Sequence, residues 1–288
     1  MYTVSQVSAL TGVAEGTLRV WERRYGVVSP QRSSGGYRLY DEGQLTRLRE
    51  MATLVRGGVP ASRAAETVSA LLAYSGDIPD ADAWPPADAL IDAAASLEPA
   101  RLDAVIAQAF GAAPFEQVAE TWLLPALVRL GRAWESGRLT VAQEHFASAG
   151  LMRAVAGVFD EAQPDAAGAP VLVGLPPGER HEVALFAFAT CLRRAGENVI
   201  YLGADVPAPD WQRAAETRRA RAVVLGVHTT AAVVEARAVV ARLNEVALPL
   251  SIWVGGALRH DLAGVHHLPD SVASAASELH LSLLGGRG

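Results

Sequence analysis

The second half of the chain alternates short apolar runs with longer amphipathic stretches, and this alternation limits the fold more than any other feature. Four runs rich in β-branched residues indicate buried strands at residues 171–174, 198–202, 222–227 and 251–254. Helices are predicted between them, near residues 182–195, 209–218 and 231–245. This order predicts a parallel, doubly wound sheet of the Rossmann-like, flavodoxin-like α/β class. Ligands of such sheets bind beyond the carboxyl ends of the strands.

Composition excludes several classes of protein. The chain has 288 residues, of which 50% are hydrophobic, so it can bury a core and is not disordered throughout. The single cysteine, Cys191, excludes a disulfide scaffold. All 25 basic residues are arginine, which excludes mechanisms that need a lysine. Because the chain has no membrane-spanning apolar stretch and no secretory signal at its start, we expect a cytoplasmic protein without a membrane partner.

Proline-rich and acidic stretches divide the chain into three domains. We predict a first domain at 1–74, a linker at 75–87, a helical bundle at 88–162, a linker at 163–169 and the sheet domain at 170–288. The bundle is predicted to have four helices, because its apolar residues recur every three or four positions.

Charge is distributed unevenly along the chain. The first 50 residues carry seven arginines and five acidic residues, a net charge of +2, whereas the whole chain has a net charge of -6. A small basic module attached to an acidic body is typical of a protein with a local nucleic-acid footprint.

The basic module has the pattern of a winged helix–turn–helix. A helix at 4–10, a turn at 11–13 and a second helix at 14–24 are predicted, with Leu18 and Trp21 facing inward. Gly35-Gly36 predicts a hairpin turn for the wing, and a helix near 41–56 would pack behind it. The predicted DNA-binding residues lie on the second helix and the wing: Thr17, Arg19, Arg23, Arg24, Arg32, Tyr37, Arg38 and Tyr40.

The segments LRVWERRYG and GGYRLYD resemble the DNA-binding domain of the MerR family over about the first 74 residues. The resemblance implies a dimer that binds a palindromic double-stranded DNA operator.

Two further patterns contain residues that suit a cofactor. In the predicted bundle, Trp134 is followed after nine residues by Glu144-His145, a pattern that is by itself more often structural. In the sheet domain, the loop after the first strand contains Glu179 and His181. From Ala184, 41 residues lead to Gly226-Val-His228, and 26 more lead to Gly255-Gly256.

These spacings resemble those of the base-off, histidine-on cobalamin-binding fold, whose pattern is Asp-x-His-x-x-Gly, Ser-x-Leu and Gly-Gly. The resemblance implies that His181 is the lower axial ligand of cobalt and that Glu179 replaces the aspartate. Imidazole suits cobalt, and a ligating histidine usually donates its second N–H to a carboxylate. Gly255 and Gly256 would let the nucleotide tail approach the main chain closely.

The order of the three domains resembles the CarH/LitR type of light-responsive repressor over essentially the whole chain. The resemblance implies that Trp134, Val141, Glu144 and His145 enclose the 5'-deoxyadenosyl group of adenosylcobalamin. It further implies a DNA-binding tetramer in the dark, which light dissociates. We therefore expect a regulator and not an enzyme.

Four further positions depart from the family patterns. Ala184 replaces a glycine, and Gly226 and His228 replace the serine and the leucine, so the tail slot loses a hydroxyl and gains space. In a flavodoxin-like strand order, His228 would lie near His181. Glu135 stands where some CarH-type proteins have a histidine that captures cobalt after photolysis.

Two alternatives remain open from the sequence. The same DNA-binding role could serve another tetrapyrrole such as haem, another cobalamin form, or no cofactor. A corrinoid carrier or enzyme is the other alternative, although the chain has no room for a catalytic barrel of about 250 residues and a carrier leaves the DNA-binding module unexplained.

Overall fold

The computed structural model describes residues 1–32, 37–56, 60–62, 64, 65, 68, 83–163 and 168–285. The predicted wing turn at Gly35-Gly36 and most of both predicted linkers lie outside the described residues. The chain divides into two compact units, Met1–Gly76 with Leu281–Gly288, and Asp77–His280.

The first unit contains the predicted winged helix–turn–helix. Its elements are β1 (Tyr2–Thr3), α1 (Val4–Thr11), α2 (Glu15–Tyr25), β2 (Gln31–Arg32), β3 (Arg38–Tyr40) and α3 (Glu42–Arg56). The strands form an antiparallel sheet in the order β1-β3-β2. Gly12 ends α1 with a φ of 70°, a left-handed conformation that glycine adopts without strain. Leu18 and Trp21 are buried, as predicted.

The second unit begins with four helical segments. They are α4 (Ala89–Ser96), α5 (Pro99–Ala112), a long helix that contains α6 (Phe115–Val118) and α7 (Leu124–Glu135), and α8 (Val141–Glu161). A π-helical turn at Ala119–Leu123 joins α6 to α7. Pro125 follows that turn and has no N–H to donate, which accounts for the altered hydrogen-bonding pattern. Thr140 and Gln143 form a capping box that starts α8.

The sheet domain follows the bundle in the same unit, up to His280. Its elements are β4 (Val171–Gly174), α9 (Glu182–Arg194), β5 (Val199–Gly203), α10 (Ala208–Arg218), β6 (Ala222–Gly226), α11 (Thr230–Leu243), β7 (Ser251–Gly255), β8 (His266–His267) and α12 (Val272–Gly285). All strand pairs are parallel, in the order β5-β4-β6-β7-β8, which is the flavodoxin-like order. The fold class is therefore confirmed. The short β8, formed by two polar residues, was not predicted.

Polar contacts join the bundle to the sheet domain within this unit. The Arg194 guanidinium donates to the buried Glu116 carboxylate over 2.7 Å. Glu120 accepts from the Ser271 hydroxyl and from the main-chain N–H of Ala273 at the start of α12. These contacts hold the bundle in one position over the sheet.

None of the described helices is long and apolar enough to cross a lipid bilayer.

Candidate functional site

The loops after β4 and β6 meet at the carboxyl edge of the sheet. Because β4 and β6 are adjacent and parallel, the loop with Glu179 and His181 lies beside the loop with His228. The ring centroids of His181 and His228 are 6.1 Å apart, in agreement with the predicted proximity. The main site is built on this edge.

A buried carboxylate joins the two loops. One oxygen of Glu179 accepts from the main-chain N–H groups of Arg180 (3.0 Å) and His181 (3.3 Å). The other accepts from the N–H of His228 (3.3 Å) and the hydroxyl of Thr229 (3.2 Å). Burial by itself raises the pKa of Glu179, but the hydrogen bonds from His181 and Arg180 outweigh burial, so its pKa lies below the usual value. Glu179 is therefore anionic at neutral pH.

This carboxylate also orients the imidazole of His181. The Nδ1 atom contacts the Glu179 carboxylate, and 71% of the His181 side chain is exposed. When Nδ1–H donates to the carboxylate, Nε2 carries the lone pair. No residue in the described part of the chain hydrogen-bonds Nε2. An exposed Nε2 lone pair and a carboxylate on the other nitrogen are the arrangement of a metal-ligating histidine.

A mainly apolar cavity of about 220 Å³ lies at the same edge of the sheet, and His228, whose ring centroid is 6.1 Å from that of His181, lines it. Leu124 of α7, the starts of α9 and α12 and the ends of β6 and β7 form its walls. Five residues of the cobalamin pattern line it: Ala184, Gly226, His228, Gly255 and Gly256. Glu179 and His181 are not among its lining residues. The cavity is smaller than the about 300–1,000 Å³ of pockets for whole drug-sized ligands. It therefore suits one arm of a larger cofactor, such as the nucleotide tail.

The expectation that Gly226 opens space in the tail slot is wrong. A Cβ atom there would lie 2.7 Å from Leu175 Cδ2 and 3.3 Å from Leu185 Cδ2. Leucine side chains already fill the volume that a serine side chain would enter.

The second glycine of the Gly-Gly pair lies close to the main chain of the neighbouring loop. Gly256 has a φ of +100°, and a Cβ would lie 2.3 Å from the carbonyl oxygen of Val227. The adjacent main chain therefore requires glycine at this position. At Gly255 a Cβ would make only an ordinary contact, 3.6 Å from Leu268 Cδ1.

His228 contributes a polar side chain to the lining of a mainly apolar cavity. Burial lowers the pKa of His228, while Glu179 raises it less strongly and His181 lowers it further. The ring is therefore neutral at pH 7, with one nitrogen able to donate and one able to accept.

The predicted cap residues lie at the α7–α8 hairpin. Trp134 in the last turn of α7 and Val141 at the start of α8 are exposed by 48% and 53%. Glu144 accepts from the Ser148 hydroxyl (2.6 Å) and contacts Nδ1 of His145 (2.7 Å). The structure thus brings these four residues to one exposed hairpin.

In the first unit, most of the predicted DNA-binding residues are accessible. Thr17, Arg19, Arg23 and Arg24 are exposed on α2, and Arg32 and Tyr37 are exposed on the wing. Arg19 forms a 3.2 Å ion pair with Glu15.

The prediction for Tyr40 is wrong, and the role of Arg38 changes. Tyr40 is 0% exposed and belongs to the core of the first unit, because β3 turns that side chain inward. Arg38 donates to Glu22 over 2.7 Å, which fixes the wing strand against α2. That hydrogen bond and the charge of Glu22 raise the pKa of Arg38.

Sequence reasoning missed two residues that shape the main site. Thr229 donates to Glu179 and also caps α11 through its hydroxyl. Asp205 accepts from the N–H of Gly178 over 2.7 Å and so holds the β4 loop. A threonine directly before an apolar helical run is an N-cap signal that could have identified Thr229.

Comparison with family models identifies all three parts of the chain. Residues 2–71 match the model described as "MerR HTH family regulatory protein". Residues 86–157 and 169–265 match two different models, each described as "B12 binding domain". Fold, site and models together define a cobalamin-linked transcriptional regulator.

Two curated proteins of Myxococcus xanthus match nearly the whole chain. The HTH-type transcriptional repressor CarH is 32% identical over 269 residues, 89% of this chain and 89% of that protein. The HTH-type transcriptional repressor CarA is 31% identical over 96% of this chain and 94% of that protein. The chain belongs to the family of CarH and CarA repressors.

A solved structure supports the fold of the second unit. The monomethylamine corrinoid protein of Methanosarcina barkeri matches 67% of this chain and 96% of that chain, with a TM-score of 0.54 and 18% identity. At this identity the match concerns the fold alone.

Proposed function

We propose that this chain is a cytoplasmic repressor whose binding to DNA is controlled by adenosylcobalamin and light through a change in oligomeric state. The observation that supports this proposal most strongly is the contact between the buried Glu179 carboxylate and Nδ1 of the exposed His181 imidazole. In this proposal each domain has its own function. The first domain (1–74) binds DNA, the helical bundle (88–162) covers the upper face of the cofactor, and the sheet domain (170–288) holds its lower face and its tail.

Each set of residues has a defined task in this proposal. Nε2 of His181 holds cobalt from below, and the cavity takes the tail. The exposed apolar surfaces of Trp134 and Val141 cover the adenosyl group, with Glu144 and His145 beside it. Adenosylcobalamin supplies a light-sensitive cobalt–carbon bond. Glu135 brings no imidazole to the upper face, so no second histidine ligand is expected from that position.

The first unit would bind the operator. The exposed face of α2 has the size and the donors for the major groove, while Arg32 on the wing would contact phosphates. The acidic remainder of the chain repels DNA and restricts binding to this face. We propose that two copies bind a palindromic operator.

Two observations support a second candidate, in which a different cofactor controls DNA binding. His228 brings another imidazole to within 6.1 Å of His181, and Leu175 and Leu185 crowd the tail slot at Gly226. Haem, another tetrapyrrole or another cobalamin form would then replace adenosylcobalamin, with the DNA-binding role unchanged. A function as a corrinoid carrier would agree with the fold of the second unit, but it would not explain the DNA-binding fold of the first unit.

Light and oligomeric state are tested together on protein purified in the dark with adenosylcobalamin. We expect one bound cofactor per chain, an absorption change under green light, and a simultaneous change in elution volume on gel filtration. Retention of haem alone supports the second candidate. A spectral change at constant size contradicts the oligomeric switch.

The DNA-binding surface is tested by replacing Arg19 with alanine. The DNA is a duplex recovered by in vitro selection with the unmodified protein. Loss of a base or phosphate contact should weaken the affinity of the variant for this duplex by about 5–150-fold, or about 1–3 kcal/mol. Arg242→Ala is the matched control, because Arg242 is also a half-exposed helical arginine that forms an ion pair with a nearby glutamate. Equal affinity of the Arg19 and Arg242 variants would exclude α2 as the recognition helix.

A further inference from the structure

Two histidines converge at the edge strand of the sheet, and neither of them lines the cavity of the main site. His260 lies in the β7–β8 loop and His267 lies on β8. Their Nδ1 atoms are 3.3 Å apart, and the two rings are nearly perpendicular, at 88°. The neighbouring His266 instead stacks on Trp253, with ring centroids 4.5 Å apart.

The protonation of the pair follows from its hydrogen bonds. The Nε2 atom of His267 lies 2.8 Å from the carbonyl oxygen of Leu262. A carbonyl only accepts, so Nε2 carries the hydrogen and Nδ1 of neutral His267 carries a lone pair. The Nδ1–H of His260 then donates to that lone pair in a long hydrogen bond.

The same geometry suits a metal ion. Zinc binds imidazole nitrogen at about 2.0–2.1 Å in tetrahedral sites, which places two ligand nitrogens about 3.3–3.4 Å apart. The two Nδ1 atoms already have this separation. The Leu262 carbonyl provides the outer-shell acceptor that metal-ligating histidines usually have.

We propose that His260 and His267 bind one divalent transition-metal ion, Zn²⁺ in the test below, through their Nδ1 atoms. When the ion binds, Nδ1 of His260 loses its proton to water, and Nε2 of the same exposed ring gains a proton from water. The imidazole therefore changes its tautomer and keeps its charge. No group of three or more metal-ligating side chains occurs among the described residues. Water therefore fills the remaining positions, as in an exchangeable surface site.

Such an ion would link the β7–β8 loop to the strand that follows it. Leu268 and Pro269, directly after His267, line the cavity of the main site. A bound ion would thus fix one wall of that cavity.

The test is calorimetric titration of the EDTA-dialysed full-length protein with Zn²⁺. We expect His260→Ala and His267→Ala each to weaken one equivalent of binding at least tenfold, because loss of an outer-shell partner alone costs about 10–100-fold. His266→Ala is the matched control and should retain that equivalent.

Folding and metal binding are separated by a second measurement. His260 is exposed, so its replacement should leave the circular dichroism spectrum unchanged. Zn²⁺ should raise the melting temperature of the unmodified protein and of the His266 variant but not of the His260 variant. Zn²⁺ binding that is absent, or equal in the His260 variant and the unmodified protein, overturns the proposal.

Discussion

His181→Ala is expected to reduce affinity for adenosylcobalamin by more than about 100-fold, because the loss of a ligand should exceed the about 10–100-fold loss caused by removing an outer-shell partner. The ring that would reach cobalt is 71% exposed, so its removal disturbs little packing. The measurement is equilibrium binding in the dark, together with the absorption bands that report a nitrogen ligand below cobalt.

Two neighbouring variants make this test specific. Glu179→Gln keeps the shape of the buried side chain but not its charge, and we expect a loss of about 10–100-fold. Arg180→Ala is the control in the same loop, because its side chain is 81% exposed and forms a long ion pair with Asp205, at 3.7 Å. If His181→Ala and Arg180→Ala show the same spectrum and affinity, His181 is not the ligand.

Gly256→Ala is expected to destabilise the second unit by about 2–5 kcal/mol. Placing a non-glycine residue in a left-handed conformation costs about 1–2 kcal/mol, and overpacking costs about 1–3 kcal/mol. The new Cβ would lie 2.3 Å from a main-chain oxygen, which cannot move aside as a flexible side chain can. The melting temperature should fall by about 5–15 °C.

Two other glycines separate the causes of that loss. Gly137 has a φ of +74°, whereas Gly111 is helical. A Cβ atom added at either position meets no described atom within 4 Å outside its immediate chain neighbours. We expect Gly137→Ala to cost only the conformational term, and Gly111→Ala to be neutral or stabilising by up to about 1 kcal/mol. If Gly256→Ala and Gly137→Ala lose the same free energy of unfolding, the main chain at Val227 moves aside without a measurable cost.

Elements with strong local signals were predictable from the sequence. The four longer strands agree to within about one residue because each is an apolar run rich in β-branched residues. The first two helices agree similarly, because the apolar spacing of Leu18 and Trp21 and the turn at Gly12 are local features.

What the sequence could not provide depends on packing between distant segments. Tyr40 alternates with wing residues along the chain, and only the pairing of β3 shows that it points into the core. The volume beside Gly226 depends on where Leu175 and Leu185 lie. The convergence of His260 and His267 requires β8, whose two histidines carry no apolar signal.

The Glu179 carboxylate has a consequence for the speed of cofactor capture. Because main-chain groups from two loops already donate to it, the His181 imidazole is oriented before a cofactor arrives. The entropy of ordering that loop is lost when the protein folds and not when the ligand binds. Capture can then proceed in a single encounter, and differences in affinity between related corrinoids would be expressed mainly in how long each remains bound.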